Sequence, residues 1–176
     1  GGNLGNTFAV SKEFGEISLI RALDYETTRQ YNLVVAAFDG AFTTTANIVI
    51  KINDLNDETP LGIDTIVDIA ETLALNAPFA TLRATDKDSG SVFGFAIASG
   101  NAKNTFGIDP NSGRLSLASP VDYETMRAYV LTIIISDGLN FSSFAVKVNI
   151  TDENDETPVF QNNSTSIPED IALGKQ

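Results

Sequence analysis

The sequence contains no cysteine, no histidine and no tryptophan. Without cysteine the chain has neither a disulfide nor a thiolate metal site, and the redox compartment cannot be inferred from it. Without histidine it lacks the commonest general base and the commonest zinc ligand. The sequence therefore directs attention to carboxylates as the main chemically useful side chains.

Positive charge is scarce as well. Lysine and arginine number 11 against 23 acidic residues, which gives a net charge of −12. This balance disfavours nucleic acid and anionic membrane surfaces as partners. It also favours bound cations, because they would offset the repulsion between negative charges in the compact folded state.

Long apolar runs are missing too, although 43% of the residues are hydrophobic, enough for a core. No run approaches the ~20 residues of a membrane span. No basic region followed by an apolar stretch marks the start, so we expect no signal peptide. We expect the chain to be an internal fragment of a longer protein.

An acidic stretch, Asp-Leu-Asn-Asp-Glu-Thr-Pro at 54–60, organises the chain and returns as Asp-Glu-Asn-Asp-Glu-Thr-Pro at 152–158. Acids and an amide at this density are poor strand and helix formers, and the closing proline stops a ladder. Carboxylate, amide and carbonyl oxygens are the ligands that calcium takes. We therefore interpret both stretches as calcium-binding linkers between domains.

The two prolines that close these stretches are 158 − 60 = 98 residues apart, and other polar motifs recur at the same offset. Asp-Tyr-Glu-Thr occurs at 24–27 and 122–125, and Asp-Gly at 39–40 and 137–138. A unit of this length is the usual size of a small β-sandwich. We predict the second half of a repeat over 1–53, a linker over 54–60, a complete repeat over 61–151, a linker over 152–158 and the start of a third repeat over 159–176.

Alternating apolar residues predict the strands. In the complete repeat we expect strands near 63–69, 79–85, 93–98, 106–108, 114–117, 129–135 and 144–150. The predicted fold class is all-β, as tandem seven-stranded Greek-key sandwiches of immunoglobulin-like topology. The register predicts that Ile133 and Val146 are buried, and that Thr132 and Lys147 are exposed.

With these motifs assembled, the chain resembles the cadherin repeat family over its whole length. The base glutamate of that family matches Glu71 and Glu169, and its Asp-x-Glu motif matches 24–26 and 122–124. The linker motif matches 54–58 and 152–156, with glutamate at 58 and 156 where asparagine is usual. The Asp-x-Asp motif matches 86–88, and the aspartate that closes a strand matches Asp39 and Asp137.

The resemblance implies about three calcium ions for each complete linker. At 54–60 it implies one ion held by Asp24, Glu26 and Asp57; a second by Glu26, Asp54, the Leu55 carbonyl, Asp57 and Asp88; and a third by Asn56, the Glu58 carbonyl, Asp86, Asp88 and Asp137. At 152–158 it implies Glu71, Asp122, Glu124, Asp152, the Glu153 carbonyl and Asp155 for the first two ions, with Asn154 and the Glu156 carbonyl for the third. It implies that Asp39 serves a linker preceding residue 1, and that Glu169 is the base glutamate of the third repeat.

Each motif has a plainer interpretation when taken alone. An isolated Asp-x-Asp is usually a turn, since aspartate bonds its own backbone there. An isolated Asp-Gly is usually a hairpin turn. The recurrence of several motifs in register favours calcium. Four glycosylation sequons, beginning at Asn140, Asn149, Asn162 and Asn163, fit an extracellular surface.

We therefore expect an extracellular segment of a single-pass membrane protein that acts in calcium-dependent cell–cell adhesion. Its partners would be other cadherin ectodomains, homophilic or heterophilic, and neighbouring repeats of its own chain. The alternative is a spacer or receptor segment that binds an unrelated ligand, because the tryptophan anchor of classical outermost cadherin repeats is absent. A glycosidase with paired carboxylates is disfavoured, because catalytic pairs do not recur at domain joints, and we expect no enzyme.

Overall fold

The computed structural model describes residues 1–159 and residue 169, and its regular structure is almost entirely strand. The strands are β1 (Phe8–Val10), β2 (Ile17–Leu19), β3 (Gln30–Phe38), β4 (Thr43–Lys51), β5 (Leu61–Gly62), β6 (Thr65–Ala70), β7 (Pro78–Thr81), β8 (Ala84–Thr85), β9 (Gly94–Ser99), β10 (Phe106–Ile108), β11 (Arg114–Leu117), β12 (Ala128–Ser136) and β13 (Phe141–Thr151). In the described part the helices are two single 3₁₀ turns, neither long nor apolar enough to cross a bilayer.

Residues 61–151 form two facing sheets. One has four strands in the order β6-β13-β12-β9, and the other has three in the order β10-β11-β7. β6 runs parallel to β13, whereas the other neighbours are antiparallel. The inward residues of both sheets make one apolar core, which includes Leu115, Leu117, Leu131, Ile135 and Val148. The all-β sandwich predicted from the alternation is confirmed.

Two of the predicted strands differ from the structure. The expected strand 63–69 is β6, which begins at Thr65 and not at residue 63, because the Asp64 carboxylate accepts the Ala145 amide of β13 at 2.7 Å where a ladder bond would otherwise form. The short strand β5 precedes it. The expected strand 79–85 is β7 followed by β8, because the chain leaves the three-stranded sheet at the buried Leu82 and then pairs with β5. A Cβ on Gly62 of β5 would lie 2.0 Å from the Phe144 ring, so only glycine fits there.

The offset of 98 residues seen in the sequence is also visible in the backbone. The 3₁₀ turn Leu4–Asn6 and strands β1 to β4 correspond in order to the turn Ala102–Asn104 and strands β10 to β13. Side chains repeat as well, because Asn3 bonds the Phe8 carbonyl at 2.7 Å and Asn101 bonds the Phe106 carbonyl at 2.8 Å. Equivalent positions therefore hold equivalent local structure in both copies.

The predicted register of β12 and β13 is confirmed, with one exception. Ile133 and Val146 are 0% exposed, and Lys147 points to solvent. Thr132 is half-buried instead of exposed. The neighbouring strand β9 lies beside it, and the Ser99 hydroxyl donates to the Thr132 hydroxyl at 2.8 Å.

Two successive isoleucines of β12 test this register. Ile133 is fully buried and Ile134 is 37% exposed on the opposite face. Ile133→Ala should lower the free energy of unfolding by about 2–5 kcal/mol, because it removes core contacts and leaves a cavity. Ile134→Ala, the matched control, should lose much less. Urea denaturation of both variants measures the difference, and equal losses would contradict the sheet assignment.

Candidate metal centre

Four segments meet at the linker 54–60. β4 ends just before this linker, β8 ends just before Asp86, the β12–β13 hairpin carries Asp137, and the turn after Asp24 carries Glu26. This last turn is fixed locally, because the Asp24 carboxylate accepts both the amide and the hydroxyl of Thr27 at 2.8 Å each. The same capping of Thr125 by Asp122 occurs at the second linker. Acidic side chains far apart in the chain are thereby brought to one place.

Two groups of carboxylates form at this point. Oxygen atoms of Glu26, Asp54 and Asp88 all lie within 4.8 Å of one another, and so do oxygen atoms of Asp86, Asp88 and Asp137. Asp88 belongs to both groups and is only 7% exposed. It is therefore the point where the two groups join.

Four carboxylate oxygens in these groups are buried and accept no hydrogen bond. They are Glu26 Oε1, Asp54 Oδ1, Asp86 Oδ2 and Asp88 Oδ1. Ionised carboxylates only accept, and buried polar atoms are nearly always partnered. Oxygen atoms that face one another without a donor are the arrangement that a hard cation fills, and an all-oxygen set suits calcium.

The side chain of Asn56 lies against the same groups. With the amide oriented to form hydrogen bonds, its nitrogen donates to Oδ2 of Asp137 and to Oδ2 of Asp88, at 2.9 Å each. Asn56 therefore lies within reach of both carboxylates, and turning the amide over would present its oxygen, a calcium ligand, at the same place.

Backbone amides hold the other oxygens of these carboxylates. Asp137 Oδ1 accepts the amides of Leu139 and Asn140 at 2.8 and 2.7 Å. Asp54 Oδ2 accepts the Ser89 amide at 2.8 Å, and Asp88 Oδ2 accepts the Glu58 amide at 3.0 Å. In each of these carboxylates, the amide bonds to one oxygen fix the direction in which the other oxygen points.

The electrostatic environments of Asp88 and Asp137 differ. Burial raises the pKa of Asp88; the Glu58 amide opposes this, and the charges of Asp86, Asp54 and Asp57 add to the rise. For Asp137 burial acts in the same direction, but the Asn140 and Leu139 amides outweigh it and the pKa is lowered. Of these two carboxyls, Asp88 is the one whose charged form its surroundings disfavour.

The residues expected for the first ion are less tightly grouped. Asp24, Glu26 and Asp57 line one open hollow together with Leu55. Only Glu26 among them belongs to a tight carboxylate group within the described residues. The Leu55 carbonyl, expected as a ligand, accepts the Asp57 amide at 3.0 Å.

The linker 152–158 repeats the arrangement in part. Glu71 groups with Asp122 and Glu124, and Glu124 groups with Asp155 and Glu156, in each case within 4.8 Å. The base glutamate is well anchored, since its two oxygens accept the amides of Tyr123 and Glu153 at 2.7 Å each.

The remaining residues expected at this linker are placed as follows. Asp152, Glu153 and Asn154 are exposed, and the charge of Asp152 contributes to the raised pKa of Glu124. Glu156 was expected to offer only its carbonyl, but its carboxylate joins the cluster. Glu169 lies in an exposed turn. The rest of the expected third repeat beyond Val159, with the sequons at Asn162 and Asn163, lies outside the described residues.

Asp39 stands apart from these groups. Its carboxylate accepts the amides of Ala41 and Phe42 at 2.9 and 2.7 Å in the β3–β4 hairpin. The hairpin lies at the end of strands β3 and β4 opposite to the linker, roughly 30 Å away at 3.4 Å for each residue. Asp39 therefore lies far from the 54–60 linker, and its proposed role at a preceding linker stays a prediction.

Two residues at this joint were missed by sequence reasoning. The Lys87 ammonium lies 2.9 Å from Glu58 Oε1, which turns the Glu58 side chain away from the carboxylate groups. The Asn140 amide donates to the carbonyls of Asn56 and Glu58. A lysine between two ligand aspartates was a visible signal, whereas Asn140 showed only as part of a sequon.

The raised pKa of Asp88 can be tested without calcium. In chelator, carboxyl ¹³C chemical shifts against pH should give Asp88 a pKa above the usual aspartate value and Asp137 one below it. A raised carboxyl pKa stabilises the fold below the unfolded pKa, and that stabilisation is lost as pH rises through the folded value.

Asp86→Asn should lower the pKa of Asp88, because it removes a neighbouring charge. Asp39→Asn, in the hairpin at the far end of β3 and β4, is the control and should leave it unchanged. An Asp88 pKa that does not change in Asp86→Asn would contradict the grouping of the two carboxylates.

The chain is similar to known proteins both in sequence and in fold. The family model described as "Cadherin domain" matches residues 1–53 and 65–158. The mouse cadherin EGF LAG seven-pass G-type receptor 1 is 33% identical over 95% of this chain and 6% of its own length. Human protocadherin Fat 1 is 32% identical over 94% of this chain and 4% of its own length.

Solved structures agree on the fold. A protocadherin gammaB7 EC3-6 cis-dimer gives a TM-score of 0.79 at 20% identity, covering 92% of this chain and 42% of that one. A protocadherin gamma B7 structure of extracellular cadherin domains 1–4 gives 0.73 at 26% identity, covering 84% and 39%.

The predicted cell-surface, extracellular location is confirmed by these relatives. A single-pass parent stays a prediction, since the mouse relative is a seven-pass receptor. The family match over most of the described chain, the sandwich and the paired carboxylate groups agree, and the chain belongs to the cadherin family.

Proposed function

We propose that residues 54–60 and 152–158 are calcium-binding joints that stiffen a cadherin ectodomain segment. The observation that carries the proposal is the set of four buried carboxylate oxygens without a donor, described above. The repeats are a partial one over 1–53, a complete one over 61–151 and the start of another over 159–176. The chain spans 6% or less of the first relatives described, so the activity of the whole protein is part of the proposal.

Two of the three ions proposed at 54–60 use the tight groups. Glu26, Asp54 and Asp88 hold one ion, with Leu55 and Asp57 completing its shell. Asp86, Asp88 and Asp137 hold another, with the Asn56 side chain and the Glu58 carbonyl. Asp24, Glu26 and Asp57 hold the remaining ion in the open hollow. Calcium takes six to eight oxygens in flexible geometry, so water can complete each shell.

The second joint uses the same chemistry. Glu71, Asp122, Glu124, Asp152 and Asp155 supply the carboxylates, and the Glu153 carbonyl lies among them. Asn154 and Glu156 serve the third position. The Glu156 carboxylate, which lies in the cluster, adds a ligand that the resemblance did not imply.

The mechanism is electrostatic. Without an ion, carboxylates that precede the linker, such as Glu26, and carboxylates that follow it, such as Asp88, repel one another across a short segment. With the ion, the same side chains are drawn to one charge and the angle between the repeats is fixed. Extracellular calcium modules bind at roughly 10⁻⁴–10⁻³ M, so the joint is loaded outside the cell.

In this proposal the stiffened segment acts in calcium-dependent cell–cell adhesion. The partners are other cadherin ectodomains, in like or unlike pairs, and adjacent repeats of the same chain. The alternative is an extracellular spacer or receptor segment that binds an unrelated ligand and has no adhesion of its own, and the absence of tryptophan favours it over a strand-swapping role. Bead aggregation with and without calcium separates the two. The relatives are named as cadherins and receptors, and we propose no enzymatic activity for this segment.

Calcium should raise the melting temperature and lengthen the molecule. At calcium 100-fold above Kd, one site adds about 2.7 kcal/mol to the free energy of unfolding. Scanning calorimetry and small-angle scattering in chelator and in millimolar calcium measure both effects, with magnesium as the control ion. Superimposable scattering profiles would show that the joint does not depend on calcium.

Two aspartates that look equivalent in sequence should behave differently. Asp57→Ala should lower calcium affinity by roughly tenfold or more, because it removes one carboxylate ligand from each of the two ions that Asp57 shares in this proposal. Asp39→Ala is the matched control and should change the affinity little, because that hairpin lies far from the linker. Calorimetric titration compares them, and equal losses would place Asp39 near the joint.

A further inference from the structure

Asn140 connects the β12–β13 hairpin to the linker through its side chain. The half-buried Asn140 amide nitrogen donates to the Glu58 carbonyl at 2.9 Å and to the Asn56 carbonyl at 3.3 Å. An amide nitrogen carries two hydrogens, so both donors of this side chain are used. The hairpin is thereby tied to two carbonyls of the acidic linker, those of residues 56 and 58.

The rest of the hairpin holds Asn140 in this position. Its backbone amide donates to Asp137 Oδ1 at 2.7 Å, and its carbonyl accepts the Ser136 hydroxyl at 3.0 Å. Two residues later the Ser142 hydroxyl donates to the Pro60 carbonyl. Both polar residues of the Asn140-Phe141-Ser142 sequon therefore face the linker.

The other copy of the repeat shows that the hairpin itself does not require this amide. The position equivalent to Asn140 is 140 − 98 = 42, which is Phe42. Asp39 still accepts the Phe42 amide there at 2.7 Å, yet the Phe42 side chain is 79% exposed. The hairpin turn therefore forms without such an amide, and the two side-chain bonds of Asn140 connect the hairpin to the linker.

We propose that Asn140 is a positioning residue of the 54–60 joint and, for that reason, is not a glycosylation site although it opens a sequon. Its amide fixes the Glu58 carbonyl beside Asp88 and Asn56. The effect on calcium rests on the proposed function, since Glu58 is there a ligand of the third ion. The effect on the linker itself does not depend on any ion.

The chemistry of N-glycosylation supports this exclusion. A glycan replaces one of the two amide hydrogens by a carbon–nitrogen bond, so one of the two bonds to the linker is lost, and the sugar must occupy the side where the carbonyls lie. Asn149 differs, because its amide makes one bond, to Asp68 Oδ1 at 2.8 Å. That bond needs a single hydrogen, so Asn149 can keep it and still carry a sugar.

Glycopeptide mapping of the chain secreted from glycosylating eukaryotic cells tests the modification. Phe42→Asn, which completes a sequon with Thr44 at the equivalent hairpin position, is the matched control. We expect a glycan at position 42 of this variant and none at Asn140 in the same molecules. The proposal would be overturned if Asn140 carried a glycan in all of the folded, secreted protein and the melting temperature equalled that of the protein without this glycan.

Asn140→Ala tests the positioning role, with Asn149→Ala as the control. In chelator Asn140→Ala should lower the melting temperature by roughly 2–8 °C. In calcium it should weaken the site that uses the Glu58 carbonyl by roughly 3- to 10-fold in a calorimetric titration. Asn149→Ala loses one exposed bond, so it should lower the melting temperature less and leave the calcium affinity unchanged. An Asn140→Ala protein that matches the parent in chelator and in calcium would sink the idea. If the parent binds no calcium, the proposed function fails, while the chelator melt and the glycan map still decide the role of Asn140.

Discussion

Mutual repulsion of carboxylates at the linker 54–60 is the constraint on which the rest of this structure depends. Asp88 is at the centre of it, buried and shared between two groups. Burying a charge is unfavourable unless it is paired or coordinates a metal, and the side chains grouped with it here are other acids. The site is tolerated because Asp54, Asp86 and Asp88 each keep one oxygen on a backbone amide and leave the other without a donor.

The β-sandwich supplies the rigidity that this site needs. Asp137 closes the β12–β13 hairpin, and Asp86 and Asp88 follow β8 directly, so both come from ordered ends of strands. The linker forms no strand ladder and is held instead by individual hydrogen bonds, such as those from the Ser89 amide and the Asn140 side chain. Carboxylates on ordered strand ends, joined by such a linker, are consistent with a joint whose angle an ion can set.

The two linkers share a motif but differ in their surroundings. At the first, the Glu58 carboxylate pairs with Lys87 and leaves the acidic groups. At the second, the corresponding Glu156 joins them. An exposed ion pair such as Lys87–Glu58 contributes little to stability, so its main effect is to reduce the local negative charge by one. If both linkers bind calcium as proposed, we therefore expect them to differ in affinity although they share a sequence motif.

The sequence by itself determined the repeat, the all-β fold and the acidic residues, because period-two alternation and turn chemistry are local properties. It also gave the register of β12, since Ile133 and Val146 face one core. Only the tertiary structure decided that the strand expected from residue 63 begins at Thr65 and that the strand expected over 79–85 is divided, because both features come from contacts of Asp64 and Leu82 with distant residues. It likewise decided that Asn140 bonds the linker, because hydrogen bonds over 82 and 84 positions follow from how hairpin and linker are folded together.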